Sequence, residues 1–129
     1  MDNYIPTPPD IVEAALTAAQ VMEGDILLDL GSGDGRILLA AVQRGAMAVG
    51  IECDEELAYA SRTRGLTVIV GDAWSQVNWL DYSVVVAAVS THLRDSVVAR
   101  WQALPHRVGD RLVVIASERF IEVHHAARA

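Results

Sequence analysis

The sequence contains no lysine; all ten of its cationic side chains are arginine, at positions 36, 44, 62, 64, 94, 100, 107, 111, 119 and 128. Against them stand 17 acidic residues, giving a formal net charge of −7. No basic run occurs, so the usual footprint of a duplex-binding module is missing and nucleic acid is not expected as the main ligand. Cysteine is nearly absent too. The lone Cys53 excludes an internal disulfide framework and suits a reducing compartment. No apolar run approaches the roughly 18 residues of a membrane span, and Met1-Asp2-Asn3-Tyr4 lacks a signal peptide's basic start. A cytoplasmic protein without a membrane segment is therefore the expectation. His106, His124 and His125 lack ligand spacing with one another and with Cys53, so no metal site is expected. There is no internal repeat, low-complexity stretch or linker.

What is present is globular. The chain has 129 residues and is 52% apolar, which reads as one domain over residues 1–129. Five short apolar runs stand out: Ile26–Leu30, Ala48–Ile51, Thr67–Val70, Val84–Val89 and Arg111–Ala116. Each is nearly continuous rather than alternating, the pattern of strands covered on both faces. Helical spacing fills the gaps. A first helix begins at Thr7-Pro8-Pro9-Asp10, with Thr7 as its cap, and is closed by Gly24. A second runs from Gly35 or Arg36 to Arg44, a third from Glu55 to Arg64, and a fourth from about His92 to Leu104. This order predicts an α/β fold: an open parallel sheet of about five strands with helices on both faces. Ligands in such sheets lie beyond the carboxyl ends of the strands, where strand order reverses.

The segment that carries chemistry is Asp29-Leu30-Gly31-Ser32-Gly33-Asp34-Gly35-Arg36. A strand ends in an acid, and glycine then occupies every second position of a tight turn, where positive φ and close ligand approach are permitted. A dinucleotide fingerprint needs a small residue where Arg36 stands, and a phosphate loop needs Gly-Lys-Ser/Thr; both fail. S-adenosylmethionine fits better, since it brings an ammonium, a carboxylate and a sulfonium but no phosphate. Asp29 is placed to face the ammonium, and exposed amides of the turn around Gly31, Ser32, Gly33 and Gly35 are expected to take the carboxylate. Glu52 ends the second strand 19 residues after Gly33, the place from which an acid holds ribose hydroxyls. Asp72, followed by Ala73, closes the third strand where an adenine amino group would lie. Cys53 is read as a small buried neighbour of the adenine. Trp74 and Trp79 either cover the adenine and the acceptor entrance or pack in core and rim.

On these residues the sequence resembles the small seven-strand, Rossmann-like S-adenosylmethionine-dependent methyltransferases. It is similar in particular to the protein-lysine methyltransferases that include archaeal broad-specificity enzymes and the mitochondrial enzymes acting on ATP synthase c-subunit and adenine nucleotide translocase. The likeness is carried by Tyr4-Ile5-Pro6-Thr7-Pro8, Gly24-Asp25, the segment from Asp29 to Ile37, Gly50-Ile51-Glu52-Cys53-Asp54 and Gly71-Asp72, and covers roughly residues 4–89. It implies a methyltransferase acting on protein lysine, with Tyr4 and Thr7 joining the cofactor site. Ser90, Thr91 and His92 follow the fourth strand and become candidates for contact with the acceptor, His92 being the one near-neutral titratable group there; helix capping is the alternative for Ser90 and Thr91. The family's Tyr-Leu pair after that strand is replaced by Ala88-Val89-Ser90-Thr91-His92-Leu93, and its C-terminal antiparallel hairpin is abbreviated or absent. A protein that binds S-adenosylmethionine without transferring the methyl, or a small-molecule methyltransferase, are the competing readings. Since a bare fifth-strand edge is unfavourable, Val113-Val114-Ile115 should be covered by the C-terminal tail or by a second copy in a homodimer.

Overall fold

Leu27 and Leu28 are adjacent, both are wholly buried, and they belong to two different cores. That is the signature of a strand sandwiched between layers, since successive side chains leave a sheet on opposite faces. A computed structural model of the chain describes residues 5–127. Its strands are β1 (Ile26–Leu30), β2 (Met47–Glu52), β3 (Thr67–Val70), β4 (Val84–Val89), β5 (Arg111–Ala116) and β6 (Phe120–His125). The helices are α1 (Pro9–Ala18), α2 (Arg36–Gln43), α3 (Glu55–Thr63) and α4 (Thr91–Gln102), with a short 3-10 turn at Trp79–Asp81. The sheet order is β3-β2-β1-β4-β5-β6. The first five strands run parallel and β6 runs antiparallel to β5. Strand order reverses between β1 and β4, so the crevice expected for ligand lies beyond Leu30 and Val89.

Two apolar layers hold the sheet. On one face α1, α2 and α3 contribute Val12, Leu16, Leu38 and Ala58 against Leu27, Val84, Val86, Val113 and Ile115. On the other, Trp79 and the α4 residues Val97, Val98 and Trp101 pack on Leu28, Val85, Leu112 and Val114. β3 departs from the expected pattern. Only Val68 is buried there, because β3 is an edge and the sheet's second face is left uncovered beside Ile69 and Val70.

The helix ends follow local chemistry. Asp54 caps α3, its carboxylate accepting from the amides of Glu56 at 2.9 Å and Leu57 at 3.2 Å. The α1 cap differs from expectation: the N-cap residue is Pro8, not Thr7, and α1 ends at Ala18 rather than near Gly24. Its proline-rich start lacks the amides that a threonine hydroxyl would cap, and Gln20, at φ 55°, ends the helix before glycine is reached. Thr7 is buried, and its carbonyl accepts from Arg36 Nη1 at 2.9 Å.

β6 is a single antiparallel strand of six residues. It pairs along the whole of β5, from Arg111↔His125 to Ala116↔Phe120. The tail therefore covers Val113-Val114-Ile115, and β5 offers no bare edge through which a homodimer would form. The turn joining the two strands holds Ser117 at φ 51° and Glu118 at φ 68°. Tight hairpins demand positive φ at two successive positions, which Asn-Gly meets without strain. Ser-Glu there costs roughly 1–2 kcal/mol per residue.

At the amino ends of the strands, Asp25 gathers four donors. They are Met22 N at 3.0 Å, Ser83 Oγ at 2.9 Å, and Arg111 Nη1 and Nη2 at 3.0 and 2.8 Å. Arg111 also reaches the Ala19 carbonyl at 3.0 Å, so one ion pair ties the α1 end to the starts of β1, β4 and β5. Burial alone would raise the Asp25 pKa, but the Arg111, Met22 and Ser83 hydrogen bonds and the Arg111 charge outweigh it and hold the carboxyl below the usual 3.8. A carboxyl with a lowered folded-state pKa stabilises the fold above its unfolded value and loses that contribution as pH falls through the folded one. Asp25→Asn should therefore cost about 2–3 kcal/mol near neutrality, and the gap to wild type should close below about pH 4, as read by urea unfolding across that range.

At the other end, Gly50 of β2 leaves no room for a side chain. A Cβ there would sit 2.5 Å from Ser32 Cβ and Oγ and 2.8 Å from Leu38 Cδ1. Gly50→Ala is expected to destabilise by about 1–3 kcal/mol and to push Ser32 and the turn around it off β2, visible as amide shifts from Gly31 to Gly35.

Candidate functional site

The turn from Gly31 to Gly35 is fastened to the end of β2 by its own amides. Gly31 N and Ser32 N both donate to the Ile51 carbonyl, at 2.8 and 3.1 Å. Gly33 N donates to Glu52 Oε1 at 2.7 Å, and Gly35 N to the Ser32 carbonyl at 3.0 Å. From outside, Ser61 Oγ of α3 donates to the Gly33 carbonyl at 3.2 Å, and Arg64 Nη1 to the Asp34 carbonyl at 2.8 Å. Gly35, at φ 86°, has no room for a side chain: a Cβ would lie 2.5 Å from Leu66 Cδ1, just beyond α3, and 3.0 Å from Ser61 Oγ of α3. The expectation of exposed turn amides awaiting a ligand carboxylate is thus corrected. β2 runs one residue past its last partner in β1, Leu30↔Ile51, which brings the Ile51 carbonyl and the Glu52 carboxylate within reach of those amides.

Asp29 is 1% exposed, and its Oδ1 has no hydrogen-bond partner among the described residues. Burial, reinforced by the negative charges of Glu52 and Asp34, pushes its pKa well above the ordinary carboxylate range. Ser32 Oγ is likewise buried and unpartnered among the described residues. Both side chains line a cavity of about 600 Å³ beyond the strand ends, together with Thr7, Ser90, Thr91 and Glu118. Buried polar groups are normally satisfied, and an orphaned carboxylate facing a cavity is the arrangement that a cationic ligand completes. The residues present therefore fit the ammonium of an amino-acid-bearing ligand.

The other sequence candidates divide. Glu52 is 7% exposed and accepts from Gly33 N and, through Oε2, from Asp54 N at 2.9 Å. It anchors the turn; Oε2 also accepts from Cys53 Sγ at 3.7 Å, while Oε1 keeps a second lone pair. Asp72 is exposed; its Oδ1 accepts from Trp74 N at 2.9 Å and its Oδ2 from Ser75 Oγ at 3.0 Å, and these bonds lower its pKa. Ala73 packs on the second core and accepts from Trp79 Nε1 at 3.0 Å. Cys53 is exposed rather than buried, because it lies past the last β2–β3 pair, Glu52↔Val70. Ser90 and Thr91 line the cavity. His92 is exposed and outside the lining; its Nδ1 bonds Ser90 Oγ at 2.9 Å. Ser90 is the N-cap of α4 by position but makes no side-chain cap bond, its hydroxyl being turned to His92. Trp79 is core at 1% exposure, whereas Trp74 is partly exposed, and Arg100 lies over both rings at 4.9 and 5.3 Å. Tyr4 lies outside the described residues.

Four participants went unread. Asp34 and Arg36 form an ion pair at 2.6 Å on the cavity wall, and Arg36 also holds the N-terminal segment through Thr7. Their i, i+2 spacing across a turn was the available signal. Ser117 and Glu118 reach the cavity only because β6 folds back on β5, which no local pattern announces.

Comparisons with known proteins agree with this geometry. A protein-lysine N-methyltransferase from Saccharolobus islandicus is 44% identical over 55 residues, covering 41% of this chain and 34% of its own length. A human lysine N-methyltransferase named for the c-subunit of ATP synthase is 33% identical over 91 residues, covering 64% of this chain and 38% of that relative. The chain thus spans little more than a third of these relatives' lengths. The crystal structure of an RNA methyltransferase from Salinibacter ruber, in complex with S-adenosyl-L-homocysteine, superposes with a TM-score of 0.77 at 29% identity, over 85% of this chain and 76% of that one. The fold is the Rossmann-like methyltransferase fold. The profile of one family matches residues 12–121, nearly the whole described chain, and by that match the protein belongs to the family described as methionine biosynthesis protein MetW.

Proposed function

We propose that the chain is an S-adenosylmethionine-dependent methyltransferase whose acceptor is a protein lysine. The observation that carries this reading is the orphaned, buried Asp29 carboxylate in a cavity beyond the strand ends, beside a turn whose Gly31, Ser32, Gly33 and Gly35 amides are already bonded within the protein. Asp29 would take the ammonium of the cofactor, and the Ser32 hydroxyl its carboxylate. Glu52, through its remaining lone pair, would hold the ribose, with Asp72 and Ala73 at the adenine and Cys53 beside it. Tyr4 and Thr7 belong to the same cofactor side in this reading, and a cytoplasmic setting rests on the lone cysteine. When bound, the cofactor supplies a methyl carbon on a sulfonium: a neutral amine forms the N–C bond, the C–S pair leaves on sulfur, and the surplus proton goes to solvent.

The protein's part is to position and to exclude water, since the leaving group is already activated. Ala88, Val89 and Leu93 give the cavity an apolar wall on the acceptor side. No general base is built in by His92, which stands outside. The lysine acceptor is supported by the two lysine methyltransferases among the relatives; the RNA methyltransferase likeness supports an RNA base as the second reading.

Calorimetry with S-adenosylhomocysteine tests the cofactor site. Asp29→Asn should weaken binding by about 1.5–3 kcal/mol, the contribution of a hydrogen bond to a charged group, and an unchanged affinity would remove Asp29 from the site. The same variant should gain stability over wild type as pH rises. A raised folded-state pKa contributes stability that is full below the unfolded value and lost as pH climbs through the folded one, and asparagine escapes that loss. For the acceptor, methyl-labelled cofactor and mixed extracts should place label on lysine of polypeptides. Label in RNA or in low-mass products would replace the acceptor, and binding without transfer would replace the enzyme. With no lysine of its own, the chain cannot confuse the assay by labelling itself at lysine.

A further inference from the structure

We infer that Glu118 is the acceptor-recognising residue of the cavity, its carboxylate receiving the ammonium group of a long aliphatic side chain before methyl transfer. The inference rests on the reading of the cavity as a methyl-transfer site and adds to it a residue that the sequence did not single out.

Strand order provides the placement. β4 lies between β1 and β5, so the glycine turn after β1 and the hairpin turn after β5 flank the end of β4, where Val89 and Ser90 begin the acceptor side. The Ser117 amide donates to the Val89 carbonyl at 3.3 Å, tying the hairpin turn to that end. Glu118 thus reaches the same cavity as Asp29 from the other neighbour of β4.

Charge selects the ligand. Of the ionisable groups lining the cavity, Asp34 and Arg36 are paired with each other. Asp29 is assigned to the cofactor by the proposed function. Glu118 makes no ion pair or hydrogen bond among the described residues, so its carboxylate is left to face whatever enters beside the cofactor. The wall next to it, with Val89, Leu93 and Ile115, is aliphatic. A carboxylate on an exposed turn at the rim of this partly aliphatic cavity matches a methylene stem that carries an ammonium, and it repels a phosphate-bearing acceptor.

The turn itself adds an independent observation. Ser117 and Glu118 both sit at positive φ, where glycine or asparagine would be unstrained. Strained residues kept at a cavity wall point to a role for the side chain rather than for the turn.

Protein saturated with S-adenosylhomocysteine, titrated with Nα-acetyl-lysine N-methylamide and with its uncharged norleucine counterpart, tests this. Glu118→Gln should weaken the lysine compound about three- to tenfold and leave the norleucine compound within about twofold. Glu118→Gly should weaken it equally without lowering the melting temperature, because glycine relieves the strain; this separates lost recognition from lost folding. Equal binding of the lysine compound to wild type and Glu118→Gln, or no preference for lysine over norleucine in wild type, overturns the assignment while the cofactor site stands. Failure of wild type to bind S-adenosylhomocysteine overturns the underlying reading, and the assignment with it.

Discussion

Everything at the functional end of this molecule depends on how the glycine turn is tied down. The amides of Gly31, Ser32 and Gly33 are taken up by the Ile51 carbonyl and the Glu52 carboxylate, and Ser32 rests on Gly50 with no space to spare. An anion-binding turn leaves its amides pointing outward. Here the amides of Gly31, Ser32 and Gly33 point into the protein, and the buried polar groups left without a partner beside them, among the described residues, are the Asp29 carboxylate and the Ser32 hydroxyl. In the proposed function those side chains, rather than the backbone, select the ligand.

Two aspartates of β1 and its approach show the consequence for charge. Asp25 and Asp29 are four residues apart at opposite ends of one short strand. The first is surrounded by an arginine, a serine and an amide, which keep it ionised to low pH. The second is enclosed with only negative neighbours, Glu52 and Asp34, and resists ionisation. One residue type thus does structural work at one end and waits for a counter-ion at the other. Environment alone separates the roles.

How much of this was legible follows from the range of each interaction. β1, β3, β4 and β5 match their apolar runs residue for residue, because a strand covered on both faces needs an unbroken run and short loops set its ends. Asp29 and the glycine turn were legible from local spacing. Glu52 was legible as a strand-end acid, a pattern that gives no hint of its grip on the neighbouring turn. Cys53 and His92 were placed by proximity in sequence, yet the first lies outside the core and the second outside the cavity. β6 was legible as no more than one short strand and its partner stayed open, because Phe120–His125 mixes apolar residues with Glu122 and two histidines, and its pairing with β5 supplies what its composition does not. Glu118 depends on that pairing, so it became visible only with the fold.

The Asp25–Arg111 clasp and the ligand crevice sit at opposite ends of the same parallel strands, separated by five or six residues of extended chain, or about 17–20 Å. At that separation the energetic effects of substitutions add rather than interact. The sheet therefore insulates thermal robustness from ligand choice: the crevice can drift toward new ligands, tolerating a misfit loop or an unpaired acid, while the clasp contributes its stability from the far end.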